Sequence, residues 1–264
     1  MNDAPTCKVE IRDVYKAYRV DGQPTEVLAG VSLCAAAGTF VTIIGPSGCG
    51  KSTLFSIICG LQQPDRGEIL FDGVPVKQRL GAVGYMPQRD LLLPWRRVLE
   101  NVILGPEIHG EDIAVAKREA RDLLPLFGLE GFGDSYPAAL SGGMRQRAAL
   151  LRTFLCRKDI LLLDEPFGAL DAITRNGLQE WLLEVWQRFR YTILFITHDV
   201  EEAVFLSDKV YVLSARPAQV CREVRITLPR PRQRTMTLTA EFAAFKQQLL
   251  EALQDSPHSQ VSTT

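Results

Sequence analysis

The sequence predicts an α/β fold: a mainly parallel sheet core, an antiparallel β layer at the N-terminus and a helical subdomain. Three observations predict it. FVTII (Phe40 to Ile44), ILLL (Ile160 to Leu163) and TILFIT (Thr192 to Thr197) are short unbroken apolar runs. Each ends at a polar or glycine-rich turn, as strands buried on both faces do. Helical spacing fills the intervals: Leu178, Trp181, Leu182, Val185 and Phe189 recur within Arg175 to Phe189. In such a sheet, ligand groups gather beyond the carboxyl ends of the strands.

The elements follow in chain order. Val9, Ile11 and Val14 are set among Lys8, Glu10, Arg12 and Asp13, a half-buried strand. Val31 to Leu33 and Glu68 to Phe71 are similar, and Asp72-Gly73 is a turn signal. These pieces make the antiparallel layer. The longest apolar region, Leu28 to Ile44, is interrupted by Ser32, Gly38, Thr39 and Thr42. It reads as strand, turn, strand and not as a membrane span. From about 90 to 155 no strand is evident, and Pro94, Pro106, Pro125 and Pro137 punctuate helices. Near the end, PRPRQR (Pro229 to Arg234) reads as a solvated linker, with attraction to anionic lipid headgroups as the alternative, before a helical pattern from Phe242 to Leu253. The expected organisation is one domain over about 8–225 with the helical subdomain inserted at 90–155. A helical extension follows at 226–255, then a disordered tail at 256–264.

The chain has 264 residues, a net charge of -1 and 46% hydrophobic composition. A mixed, near-neutral charge pattern gives no argument for nucleic-acid binding. The six cysteines form no CxxC pair, so reduced thiols are expected, not a disulfide framework or a zinc site. MNDAPTCKVE has no basic segment followed by an apolar one, so no secretory signal is expected. Any membrane connection then runs through a partner.

The chemistry starts at Gly45-Pro46-Ser47-Gly48-Cys49-Gly50-Lys51-Ser52, which fits G-x-x-x-x-G-K-[ST] between a strand and a helix. The glycines let backbone N–H groups close around phosphates. Lys51 carries charge to the β and γ phosphates, the Ser52 hydroxyl can ligate Mg²⁺, and Thr53 adds a phosphate contact. In ILLLDEP, Asp164 ends an apolar strand and can hold Mg²⁺ directly or through water, while Glu165 is placed to polarise an attacking water. His198, in FITHD, ends the third apolar strand, either as a structural histidine or as a γ-phosphate contact. Gln88, in YMPQ, could reach the metal or water. Tyr18 could stack on adenine, with Tyr15 as its rival. A second anion-receptive helix start stands in LSGGMRQRAAL, where Ser141, Gly142 and Gly143 precede a helix.

This order of motifs resembles the ATP-binding subunits of ABC transporters over about residues 8 to 225. GPSGCGKST, Gln88, LSGGMRQR, ILLLDEP, GALD (Gly168 to Asp171) and His198 carry the resemblance. The resemblance implies ATP and Mg²⁺ as cofactors, with Ser52, Gln88 and Asp164 around the metal. It implies Glu165 as general base, His198 on the γ-phosphate and Tyr18 on adenine. It also implies a head-to-tail homodimer. Ser141, Gly142 and Gly143 of one chain then close on the ATP held by the other, and Asp171 lies in the loop that communicates across the dimer. Met144 stands where many relatives have glutamine, and Pro125 interrupts a stretch that is usually continuous helix. DEPFGALDAITR, THDVEEAVFLSDKVYVLSARP and LLLPWRRVLENV look like the ATPases of the nitrate, sulfonate and taurine import group.

That picture implies two integral membrane permease subunits contacting Gln88 to Trp95, a periplasmic or surface binding protein, and a peripheral place on the cytoplasmic face of the inner membrane. Leu91, Leu92, Leu93, Pro94 and Trp95 either form that interface or fill the subdomain core. Importers of pyrimidine-type vitamin precursors, exporters and non-transport ABC ATPases are the alternatives. Lys51 and Ser141 are 90 residues apart, too close for the coiled coil of DNA-repair members.

Overall fold

A computed structural model describes residues 7–20, 22–168 and 170–255; the expected disordered tail lies outside the described residues. In chain order the elements are β1 (Cys7–Val20), β2 (Gln23–Ala36), β3 (Phe40–Ile44), α1 (Lys51–Ile58), β4 (Arg66–Phe71), β5 (Val74–Pro75) and β6 (Gly84–Met86). Then come α2 (Val98–Val102), α3 (Leu104–Ile108), α4 (Ile113–Leu123), α5 (Gly142–Phe154), β7 (Ile160–Asp164), α6 (Ala172–Phe189) and β8 (Thr192–Ile196). The chain finishes with α7 (Val200–Leu206), β9 (Lys209–Leu213), β10 (Val220–Arg225) and α8 (Ala240–Gln254). Two compact units result: residues 1–82 with 182–264, and residues 83–181.

In the first unit, β3 runs parallel to both β8 and β9, and β10 closes antiparallel on β9. Every residue of β3 and β8 is buried, as unbroken apolar runs require. Phe40 packs edge-on against Trp186 at 6.1 Å and against Phe195 at 5.6 Å. The predicted antiparallel layer is β2-β1-β4-β5, with Asp72 and Gly73 both at positive φ in the β4–β5 turn. Tyr211 ties it to the parallel strands: its hydroxyl accepts from the Cys34 N–H and donates to the Cys34 carbonyl. The second unit holds the parallel pair β6 and β7. Its helices close around Phe127, which packs edge-on against Trp181 at 4.9 Å and Phe154 at 5.5 Å. α4 stops at Leu123, two residues before Pro125, where a ring replaces the N–H that helix needs.

Two expectations are corrected. Cys7 and Cys34 form a disulfide, with Cα atoms 5.6 Å apart. The free thiols among the described residues are Cys49, Cys59, Cys156 and Cys221. The two half-cystines are 27 residues apart in sequence, but the β1–β2 register sets Cys7 opposite Ala36, two residues from Cys34. Antiparallel pairing removes the separation that made them look unrelated.

PRPRQR is not a solvated linker. Arg232 is only 6% exposed, and its Nη1 donates to the carbonyls of Val204 and Phe205 at 2.8 and 2.9 Å. Arg230 donates to the Leu206 carbonyl at 2.7 Å and to Asp208 at 2.8 Å, and lies 4.2 Å from the Trp186 ring centre. These carbonyls belong to the last turn of α7, where helix geometry leaves them without an intrahelical donor and the dipole favours a cation. Burial, then the neighbouring Arg230, push the Arg232 guanidinium down to about 9, so it stays charged at neutral pH.

Candidate functional site

The first unit carries the glycine-rich loop expected to hold phosphates, from the end of β3 to the start of α1. Gly50 caps the helix at φ 127, and a Cβ there would lie 2.9 Å from the Val27 and Leu28 side chains. Only glycine fits that conformation and that space. Lys51 is buried, and its Nζ donates to the Gly45 carbonyl at 2.8 Å and the Pro46 carbonyl at 3.0 Å. The ammonium therefore bridges the loop it belongs to. Ser47, Gly48 and Ser52 are exposed, Pro46 and Thr53 half-buried, Gly45 and Cys49 buried. Burial pushes the Cys49 thiol up, against the pull of Lys51, so it fills the loop floor as a neutral group. Arg216 donates to the Gly48 carbonyl, a support that no motif announces.

The two tyrosines differ. Arg66 lies over the Tyr15 ring, 4.1 Å from its centre, so that face is taken. Tyr18 is half-buried, its hydroxyl donating to Gln62, and the Lys16 ammonium stands farther off, 5.8 Å from its ring centre. His198 is exposed just beyond β8. Its neighbours are fixed on both sides. Thr197 donates to the buried Glu202 carboxylate at 2.6 Å, and Asp199 caps α7 by accepting from the N–H groups of Glu201 and Glu202.

The second unit carries the carboxylates. Asp164 ends β7, 3% exposed. Glu165 follows at φ 45, a left-handed conformation that costs a side-chain-bearing residue about 1–2 kcal/mol. Asp164 before it and Phe167 beyond it are both buried. The Gln88 Nε2 donates to the Glu165 carboxylate at 3.2 Å, which turns the amide's oxygen into the atom left for a cation.

The segment after Gln88 is shaped by two side chains that sequence patterns did not single out. Arg152, on α5, donates to the carbonyls of Asp90 and Leu91 at 2.5 and 2.8 Å. Asn101, fully buried on α2, accepts from the Leu93 N–H and donates to the carbonyls of Leu93, Arg96 and Arg97. The apolar run divides accordingly: Leu92 is buried, while Leu91 is 56% and Trp95 71% exposed. Asn101→Leu strands several buried backbone groups at once. It is expected to cost about 3 kcal/mol, read as a fall in the urea midpoint at unchanged m-value.

Ser141 is the N-cap of α5, its Oγ accepting from the Met144 N–H at 3.3 Å. Gly142 and Gly143 occupy the first turn, and they differ. A Cβ on Gly142 meets nothing closer than 3.7 Å, whereas one on Gly143 would lie 2.7 Å from the Thr174 methyl. Gly143 thus serves the packing of α5 on α6. Asp171 accepts from the N–H groups of Ile173 and Thr174 at 3.1 and 3.0 Å. Hydrogen bonds from Thr174, chiefly from its backbone, hold the Asp171 carboxyl below the usual carboxylate range.

Comparison with known proteins follows the same lines. The family model described as ABC transporter matches residues 28–168. An uncharacterized ABC transporter ATP-binding protein of Methanocaldococcus jannaschii is 44% identical, covering 96% of this chain and 94% of its own. The aliphatic sulfonates import ATP-binding protein SsuB of Bacillus cereus is 40% identical, covering 86% of this chain and 89% of its own. Among solved structures, a dimeric bacterial ABC transporter cassette aligns with a TM-score of 0.74 and 29% identity, covering 84% of this chain and all of that one. The same cassette has been seen as a post-hydrolysis dimer with ADP and Pi, at the same similarity.

Proposed function

The chain belongs to the ABC transporter family as an ATP-binding subunit, and from that premise we propose that it energises an importer of a small anion, aliphatic sulfonates first. It is an ABC ATPase, coupling ATP hydrolysis to transport. The observation that carries the reading is the pairing of two anion-receptive helix starts in one chain, Gly50 at α1 and Ser141 at α5, with a cassette relative that is dimeric. In a homodimer each chain then lends its Ser141 turn to the ATP held on the other chain's phosphate loop.

The residues divide the work. Backbone N–H groups from Gly45 to Thr53, Pro46 having none, take the phosphates, and Lys51 exchanges its two carbonyl partners for phosphate oxygens. Tyr18 takes adenine, its rival Tyr15 being covered by Arg66. Glu165, oriented by Gln88, accepts the proton of the attacking water. His198 contacts the γ-phosphate. Ser52, Gln88 and Asp164 offer a hydroxyl, an amide oxygen and a carboxylate, the hard oxygen donors that Mg²⁺ prefers. When bound, Mg²⁺ neutralises charge on the β and γ phosphates. Asp171 and the α5 start share Thr174, a short route for dimer contacts to reach the phosphate-facing turn.

Among the described residues no helix is long and apolar enough to cross a membrane. The chain is a peripheral component that works with permease subunits, and we place it on the cytoplasmic face with Leu91 and Trp95 toward the permease. A periplasmic or surface binding protein completes the proposed complex. The test is uptake of labelled alkanesulfonate, taurine, nitrate and a pyrimidine vitamin precursor by native host cells carrying wild type or Lys51→Ala. Loss of alkanesulfonate uptake alone is the expected result. Loss confined to another compound reassigns the substrate, and unchanged uptake of all four removes the import assignment for this panel.

A further inference from the structure

The C-terminal segment, residues 229–254, grips α7 at both ends, and α7 is continuous with the residue assigned to the γ-phosphate. At the far end, Arg230 and Arg232 hold the carbonyls of Val204, Phe205 and Leu206, and Arg234 lies 4.3 Å from the Phe205 ring centre. At the near end, Lys246 of α8 donates to Glu201 in the first turn at 2.8 Å. The helix between has seven residues, too few to be stable without external support. Its buried face, Glu202 to Leu206, seats it on the core, and the contacts at its two ends fix its tilt on that seat.

The near end leads straight to His198. Asp199 caps the helix, the Thr197 hydroxyl donates to Glu202, and the Asp199 N–H donates back to that hydroxyl at 3.0 Å. His198 sits between two residues that are each bonded to the first turn of α7. A tilt of the helix carries the His198 backbone with it. Burying a guanidinium is costly, and hydrogen bonds repay that cost only in part; Nε and Nη2 of Arg232 have no hydrogen-bond partner. Placement, more than folding energy, is what this arginine supplies.

We propose that Arg232, with Arg230 and Lys246, is a positioning residue for ATP hydrolysis: the C-terminal segment is a strap that sets α7 and, through it, His198. The proposal rests on the reading of His198 as the γ-phosphate contact. The test is a double-mutant cycle in the full-length chain, with Mg-ATP turnover read as separate kcat and KM. Arg232→Gln is expected to lower kcat about tenfold and leave KM for ATP within about twofold. On a His198→Ala background the same change is expected to cost less than about twofold in kcat, because its target is already gone.

A full tenfold further loss on that background shows an effect independent of His198 and overturns the proposal alone. Full turnover in the Arg232→Gln single variant, with His198→Ala impaired, does the same. Full turnover in His198→Ala overturns the reading of His198 and the strap with it. If Arg232→Gln does not fold, Lys246→Met reads the near end by the same cycle, with a loss of about threefold expected. Additivity with His198→Ala there counts against the strap as before.

Discussion

Glu165→Gln is expected to lower ATP turnover about a thousandfold while ATP binding stays intact. The substitution keeps shape and the hydrogen-bonding position beside Gln88 but removes the carboxylate oxygen proposed to accept the water's proton. The residues proposed to hold the phosphates, Gly45 to Thr53, are left unchanged, and the isosteric amide keeps a hydrogen-bond acceptor for Gln88. A chain that binds ATP and does not cleave it accumulates in the closed, ATP-bridged dimer. Size-exclusion chromatography in Mg-ATP should then show a dimer for the variant and a monomer–dimer mixture for wild type. Retained turnover together with a monomer in Mg-ATP would contradict both the base assignment and the ATP-bridged dimer.

Lys51→Ala is expected to lower kcat/KM at least about a hundredfold, with ATP affinity falling as well. Its ammonium is already desolvated and aimed along the loop by Gly45 and Pro46, so binding phosphate asks for little reorganisation. The variant also tests the trans arrangement. Ser141→Arg places a bulky cation at the exposed α5 start and should abolish turnover by blocking the partner's site. Mixed, the two inactive proteins form dimers in which one site carries both lesions and the other carries neither. Random mixing makes about half of the dimers of that kind, so part of the wild-type turnover should return. A mixture as inactive as its components would show that each site is completed within one chain.

The three apolar runs were readable because burial on both faces leaves no room for alternation, and they became β3, β7 and β8. The glycine-rich turn between β3 and α1 was readable for a related reason. Positive φ, close backbone approach and a buried ammonium together admit few residue types, so the pattern is nearly forced. Arg232, Asn101 and Arg152 were not readable. Each works by reaching backbone carbonyls, and a carbonyl leaves no mark on the identity of the residue that bears it. The arginines between prolines looked like a solvated stretch because composition reports charge and not destination. Cys7 and Cys34 escaped for want of register: pairing needed the β1–β2 alignment, which bulges shift several times.

The way the segment after Gln88 is held bears on how such a protein can change. Asn101 and Arg152 make these hydrogen bonds to main-chain atoms of Asp90, Leu91, Leu93, Arg96 and Arg97, and none to the side chains of Leu91 or Trp95. The course of the loop is thus written in α2 and α5, and its outward side chains are spectators of its own folding. Leu91 and Trp95 can be exchanged without redrawing the path that carries them. Surface substitutions alone could therefore change what this face presents, at little expense in stability, and leave the Gln88 end of the same segment untouched.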